Sequence, residues 1–375
     1  ALGVLLVVLA LVGLKEPDPT GQPTPNQPGR EADMLWLGAL GVVCALLPVH
    51  LGERQIIFQD FGRFSLPASV GAVMILAGVW QGLPKNWLRW VLPGLLVGLA
   101  CMTHYANGRI HADNWATVKD FWWQVSWRIP QIQPQTVLVA SYPDQGIAED
   151  YFVWGPANLI YYPDLAEGRA SPLPLLGATL NLADIQAIQT GQVRQINRRG
   201  FSGEVDPAQT LVLSMPSPLS CVHVLDGSRP ELSVEDRVEI TLIAPYSDLG
   251  WIETNATPHL PPAAIFGDEP PHTWCYYYQM AGLARQRGDW AEVVRLGDEA
   301  EEKGLRASDW IEWMPFVEAY AYLGIEGRLS ELTAVLREDL YLRHQACALV
   351  LVDTPASAQY PAGHQRLVDS LCTGR

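Results

Sequence analysis

The chain has 375 residues and a formal net charge of -15. Nucleic-acid backbones are bound by clustered Lys and Arg, so this balance excludes DNA and RNA as partners, while the length leaves room for two or three units of about 100–200 residues. Leu, Val, Ala, Gly and Trp dominate residues 1–105, whereas the remainder mixes apolar and polar positions as a water-exposed chain does.

The chain opens ALGVLLVVLALVGL, with neither an initiator Met nor the basic flank of a signal peptide. Residues 1–14 therefore read as the end of a span whose start lies upstream in a longer polytopic protein. Residues 15–33, rich in Pro, Gly, Gln and Asp, read as a loop. Residues 34–51 form the next expected span, with Asp33 placed to cap it. Across 53–64, Ile56, Ile57, Phe58, Phe61 and Phe64 alternate with charged and polar residues, the pattern of a segment lying in the membrane interface. Residues 65–82 and 90–102 carry no charge and read as a hairpin of spans, with Trp80, Trp87 and Trp90 gathered at its turn as interfacial aromatics. A buried hairpin in a soluble core is the alternative by run length. Counting crossings puts 15–33 and 82–89 on one side and everything after His104 on the other. Lys and Arg balance between the two, so charge does not name the sides.

Residues 113–129 predict an amphipathic helix, with Trp115, Val118, Trp122, Val125 and Ile129 at helical spacing behind Asp113 as a cap. Phe121, Trp123 and Trp127 widen its apolar face. Such a helix packs on the membrane surface or under the soluble domain; a carbohydrate-stacking platform is the alternative use of its aromatics. Residues 136–141, 158–162, 192–197, 210–214, 221–225 and 238–243 read as short strands. Residues 182–190 read as a short helix or turn, and 203–206 as a hairpin turn. Together they give a small α/β or α+β domain. Residues 274–288, 289–304, 309–324 and 328–339 then predict four helices closed by Gly or short polar links.

Gly288 and Gly324 hold equivalent places in two successive helix pairs, and Ala281, Ala284 and Ala300 sit where paired helices approach closely. With the LARQRGDW turn, these residues resemble tetratricopeptide repeats. The resemblance implies helix pairs that need stacked neighbours and offer a surface to a protein partner; a helical hairpin cap without a partner is the alternative. The expected organisation is membrane helices over 1–105, an amphipathic helix and linker over 106–135, the α/β or α+β domain over 136–268 and the helical region over 269–375.

No Gly-rich phosphate loop, GxSxG elbow or HExxH helix is present. The six cysteines form no CxxC pair, so no zinc site is expected. A disulfide among Cys221, Cys275, Cys347 and Cys372 is expected if that region lies outside the cytoplasm, and free buried thiols otherwise. Glu149 and Asp150 are adjacent carboxylates without a His or Lys partner, Arg198 and Arg199 read as a solvated turn, and His104 and His111 lack a third metal ligand. No cofactor is implied.

Arg63, in GRFSLP ahead of a span, is placed to hold a lipid phosphate through its planar fork, with Arg54 nearby in sequence; an anchor snorkelling to the interface is the alternative. Arg63, Phe64 and Pro67 resemble the Arg-aromatic-x-x-Pro segment of GT-C membrane glycosyltransferases, which use lipid-phosphate-linked sugars. The plan of late spans followed by repeats is similar to that of transmembrane O-mannosyltransferases with tetratricopeptide repeats. Phe64 stands where that pattern often has Tyr, and the acidic base of those enzymes lies in an early loop that this chain does not contain. The resemblance implies the carboxy-terminal part of a plasma-membrane glycosyltransferase with an extracytoplasmic domain, its catalytic residues elsewhere, and Arg63 and Arg54 as contacts to a lipid-linked sugar. The competing expectation is a non-catalytic membrane-anchored scaffold whose helices bind a protein.

Overall fold

The uncharged runs fold as helices. In the computed structural model, which describes residues 29–52, 62–83, 86–143, 150–164, 182–198 and 201–372, helix α1 spans Gly29–Leu51. It starts ahead of the expected residue 34, with Asp33 inside it rather than capping it. A 3-10 turn over Gly62–Ala68 leads into α2, Ser69–Gly82. Among the described residues, two helical segments are long and apolar enough to cross a membrane, Glu31–Leu51 and Gly62–Gly82. Residues 1–14 and 53–61, which include Arg54 and most of the expected interfacial segment, lie outside the described residues.

Glycine sets how α1 and α2 meet. A Cβ on Gly71 would stand 2.5 Å from the Gly38 carbonyl oxygen, and one on Gly38 would stand 2.7 Å from that of Gly71. Backbones approach this closely only where neither residue has a side chain, the usual way apolar helices pack without water to drive them together. The partner of α2 is thus α1, not the following apolar run. Residues 90–102 instead open α3, Asn86–Arg128, a continuous helix of 43 residues that also contains the expected amphipathic helix. Asp113 is interior to α3 and caps nothing. The helix stops at Arg128 because Ile129, preceding Pro130, is pushed toward extended backbone.

The chain divides into two units, residues 1–112 and 113–375. In the second, the strands are β1 (Val137–Ser141), β2 (Arg194–Arg198), β3 (Phe201–Val205), β4 (Thr210–Ser214) and β5 (His223–Val224), interleaved with helices α4 (Tyr151–Tyr161), α5 (Leu182–Thr190), α6 (Val238–Ile243) and α7 (Ala263–Phe266). β1 and β4 pair in parallel from Val137 opposite Thr210 to Ser141 opposite Ser214, and β5 adds antiparallel to β4. Their continuous apolar runs are buried on both faces, as parallel strands require. Leu138, Ala140, Leu211 and Leu213 pack with Phe121, Trp122 and Val125 of α3 and with α4. Val137, Val139 and Val212 pack on the other face with Ile185 and Ile188 of α5 and Ile240 and Ile243 of α6.

Three expectations change. Residues 158–161 belong to α4, whose buried Val153, Ala157, Ile160 and Tyr161 recur at helical spacing, and Tyr162 follows its end. Residues 238–243 are α6, where Ile240 and Ile243, three apart, turn to the core. Gly203 pairs with Ile196 inside the β2–β3 ladder, so residues 203–205 lie in a strand and not in the expected turn. The aromatics Phe121, Trp122, Trp123 and Trp127 are buried, so they form core and not a carbohydrate platform.

The carboxy-terminal helices follow as α8 (Trp274–Gln286), α9 (Trp290–Glu302), α10 (Met314–Leu323), α11 (Glu326–Leu336), α12 (Leu340–Val350), α13 (Pro355–Gln359) and α14 (Pro361–Leu371). They share one core around Trp290, Trp313, Phe316, Val317 and Leu336. Gly288 and Gly324 close α8 and α10 with φ of 75° and 74°, a conformation open to glycine at little cost. Two disulfides staple the unit: Cys221–Cys275 joins the approach to β5 to α8, and Cys347–Cys372 joins α12 to the end of α14.

Candidate functional site: an arginine-lined cavity

The last residue of α3, one face of α8, the loop 226–231 and the start of α13 enclose a cavity of about 480 Å³. Arg128 enters it from the end of α3 and lies against Gly282: a Cβ at that position would come 2.9 Å from Nε of Arg128. Glycine there lets the guanidinium lie flat on α8. Three residues on, Arg285 leaves the same helix face and is held by Glu231, with Nη1 and Nη2 donating at 2.5 and 3.1 Å. Glu318 of α10 stands 3.5 Å from Arg285 and accepts from Arg229 at 2.5 and 3.4 Å. Asp226 closes the chain at 3.9 Å from Arg229.

The arginines are not equivalent. Arg229 and Arg285 are compensated: Glu318 raises the pKa of Arg229 against the opposing effect of burial. For Arg285, burial works against the charge, but Glu231 and Glu318 outweigh it and the pKa is raised. Arg128, only 5% exposed, has no ion pair or hydrogen-bond acceptor among the described residues, and its Nη1 is buried without a partner. Burial first, and then the neighbouring charge of Arg285, lower its pKa to about 10 against the smaller opposing effects of Tyr278, Glu231 and Asp226. A drop of that size corresponds to about 3 kcal/mol disfavouring the charged form. Buried charges are normally paired, and Arg128 has no carboxylate within ion-pair distance among the described residues. A unit anion about 4 Å away in a partly screened site gains about 4 kcal/mol, enough to offset the cost.

The lining has no His, Lys or Cys but carries the carboxylates of Asp226 and Asp353 and the hydroxyls of Ser228 and Thr354, with Ser228 donating to Asp226 Oδ1 at 2.7 Å. Arg287 at the rim donates to the carbonyl of Thr254.

A second buried cluster lies in the same unit. Glu312, fully buried, accepts from the backbone N–H of Cys221 at 2.7 Å and from Trp274 Nε1 at 2.6 Å, with His223 Nε2 at 3.4 Å. His223, Asp309 and Glu312 bring potential metal-ligand atoms within 4.8 Å of one another. Both Glu312 oxygens already accept N–H donors. The cluster reads as a buried cross-link.

The residues singled out from sequence lie elsewhere. Arg63 is exposed at the foot of α2, its guanidinium 5.2 Å from the centroid of the Phe64 ring. Arg54 and Glu149 lie outside the described residues. His104 and His111 are exposed on α3. Arg128 carried one signal, a basic residue in the last turn of a Trp-rich helix; nothing local showed that it is buried. Compared with known protein families, curated proteins and solved structures, the chain matches none.

Proposed function

We propose that this chain is a membrane-attached binding protein whose second unit takes an anionic group, carboxylate or phosphate, at Arg128. The observation that carries this reading is the buried guanidinium of Arg128, unpaired among the described residues, in the lining of a cavity. Its membrane attachment is supported by the mostly exposed apolar surfaces of α1 and α2: only 11% and 17% of their apolar windows are buried, where a soluble core helix would be covered. An extracytoplasmic position is supported by the two disulfides, which persist in oxidising compartments. The reading favours the non-catalytic expectation, with α8 and the start of α9, the first of two helix pairs that are tetratricopeptide-like in plan, forming one wall of the cavity. The test is a ligand-observed NMR titration of the full chain in an uncharged detergent with sodium acetate and with inorganic phosphate. Saturable binding of at least one anion, weakened tenfold or more by Arg128→Gln, is expected. No saturable binding, or equal binding by the variant, would overturn it.

A second reading is the carboxy-terminal part of a glycosyltransferase that uses a lipid-linked sugar. What favours it is Arg63, exposed where the second apolar segment begins and stacked over Phe64, a position suited to a lipid phosphate. Arg63→Ala should then lower binding of a lipid phosphate in vesicles by severalfold, and unchanged binding would remove that role.

A further inference from the structure

The cavity holds a second buried atom without a partner, and it is of the opposite kind. Gln286, on α8, lines the cavity with Arg128. Its Nε2 donates to the carbonyl of Leu249 at 3.0 Å, which fixes the orientation of the amide: exchanging its nitrogen and oxygen would set two acceptors against each other. The oxygen, Oε1, is therefore an acceptor, and it is buried with nothing donating to it.

The two residues meet α8 one turn apart. The guanidinium of Arg128 lies on Gly282, and Gln286 is four residues further along α8. Positions i and i+4 share a helix face about 5–6 Å apart. A cationic donor and a neutral acceptor thus stand one turn apart on one wall. At the rim, Asp353 is exposed and has no hydrogen bond or ion pair among the described residues. A bare anion would satisfy Arg128 and leave Gln286 Oε1 desolvated and unmatched, which costs about as much as a lost hydrogen bond.

We infer that the ligand of this cavity is a carboxylate bearing a hydrogen-bond donor on the adjacent carbon, a 2-amino or 2-hydroxy acid. Its carboxylate sits on Arg128 and its ammonium or hydroxyl donates to Gln286 Oε1. This rests on the anion reading above. The cavity, about 480 Å³, exceeds the smallest such acids, so they report on recognition of the head group while the natural ligand extends beyond it.

Propionate, lactate and alanine share one carbon frame and differ only in carrying H, OH or NH₃⁺ beside the carboxylate. Titrated by ligand-observed NMR into the full chain in an uncharged detergent, lactate, alanine or both are expected to bind about tenfold or more tighter than propionate. Gln286→Leu should remove that preference, whereas Arg128→Gln should weaken all three. Preference for alanine alone assigns the donor as an ammonium, helped by Asp353; preference for lactate alone assigns it as a hydroxyl. Equal affinities for the three acids, or tighter propionate, overturn the inference and leave the anion reading standing. If none of the three binds and acetate and phosphate fail as well, both fall. The wild-type series decides the matter even if Gln286→Leu does not fold.

Discussion

Glu312→Ala is expected to destabilise the protein by about 3–5 kcal/mol, the range for removing one partner of a buried charged pair. The carboxylate is fully buried, and its ligands come from separate parts of the unit: the backbone N–H of Cys221 and the ring of His223 from the sheet side, and Trp274 from the start of α8. Its loss orphans at least two buried N–H donors, each worth about 1–3 kcal/mol. The neighbouring Cys221–Cys275 disulfide still joins the same parts, so the unit should loosen rather than come apart. A pH signature separates this from a simple cavity. Burial opposes the charge of His223, but the hydrogen bond and charge of Glu312, with Asp236 and Asp309, prevail and raise its pKa. Between the unfolded value of about 6.5 and that raised value, the folded state binds more protons than the unfolded state, so stability falls as pH rises. The contribution is complete below about pH 6.5. Urea unfolding of the full chain at several pH values should show this fall in the wild type and a shallower one in Glu312→Ala. A loss below about 1 kcal/mol, or an unchanged slope, would show that Glu312 is not the cross-link it forms here.

Much of the scaffold is legible in the sequence, because the forces that build it are local. The uncharged runs specify α1 and α2, and the continuous apolar stretches specify β1 and β4. Asp289 and Asp339 cap α9 and α12 by accepting from Glu292 N at 3.1 Å and Leu342 N at 2.9 Å, as Asp ahead of an apolar period predicts. The errors fall where short apolar runs suit either period. Residues 158–162 and 238–243 are too brief to separate a spacing of two from one of three or four, and their packing against β1 and β4 decides for helix. The site is less legible. Glu312 and Glu318 each stand alone within DWIEWMPFVEAYAYLG, and a lone acid in an apolar run signals a buried charge that must find a partner. The run does not name the partners, which come from Cys221 and His223 at β5, from loop 226–231 and from α8. Arg128 is harder still. Its burial depends on the absence of a side chain at Gly282, far along the chain, and glycine inside a helix has many uses.

Arg128→Met is expected to leave the protein as stable as the wild type or to stabilise it by about 1–3 kcal/mol, while abolishing anion binding. Methionine keeps the apolar length of the arginine stem, so packing along α8 is retained. The guanidinium has no hydrogen bond or ion pair to lose among the described residues, and its removal relieves both the burial of a charge and the repulsion from Arg285. The lowered pKa of Arg128 still lies far above neutrality, so this cost is fully present at pH 7. Replacing a buried charge with an apolar side chain of similar size is often neutral or stabilising. Arg285→Met is the contrasting case: it strands Glu231, while Glu318 keeps its pair with Arg229, and should cost about 3–5 kcal/mol. Ligand linkage adds an independent readout, since an anion at about 100 times its dissociation constant should stabilise the wild type by about 2.7 kcal/mol and Arg128→Met not at all. Urea midpoints with and without saturating acetate or phosphate distinguish the outcomes. If Arg128→Met instead costs more than about 1 kcal/mol without ligand, Arg128 serves the fold. If the variant is stable but the wild type gains nothing from either anion, the cavity does not bind one. Stability gained with binding lost would mark Arg128 as a residue whose charge destabilises the empty fold and is offset only by a ligand.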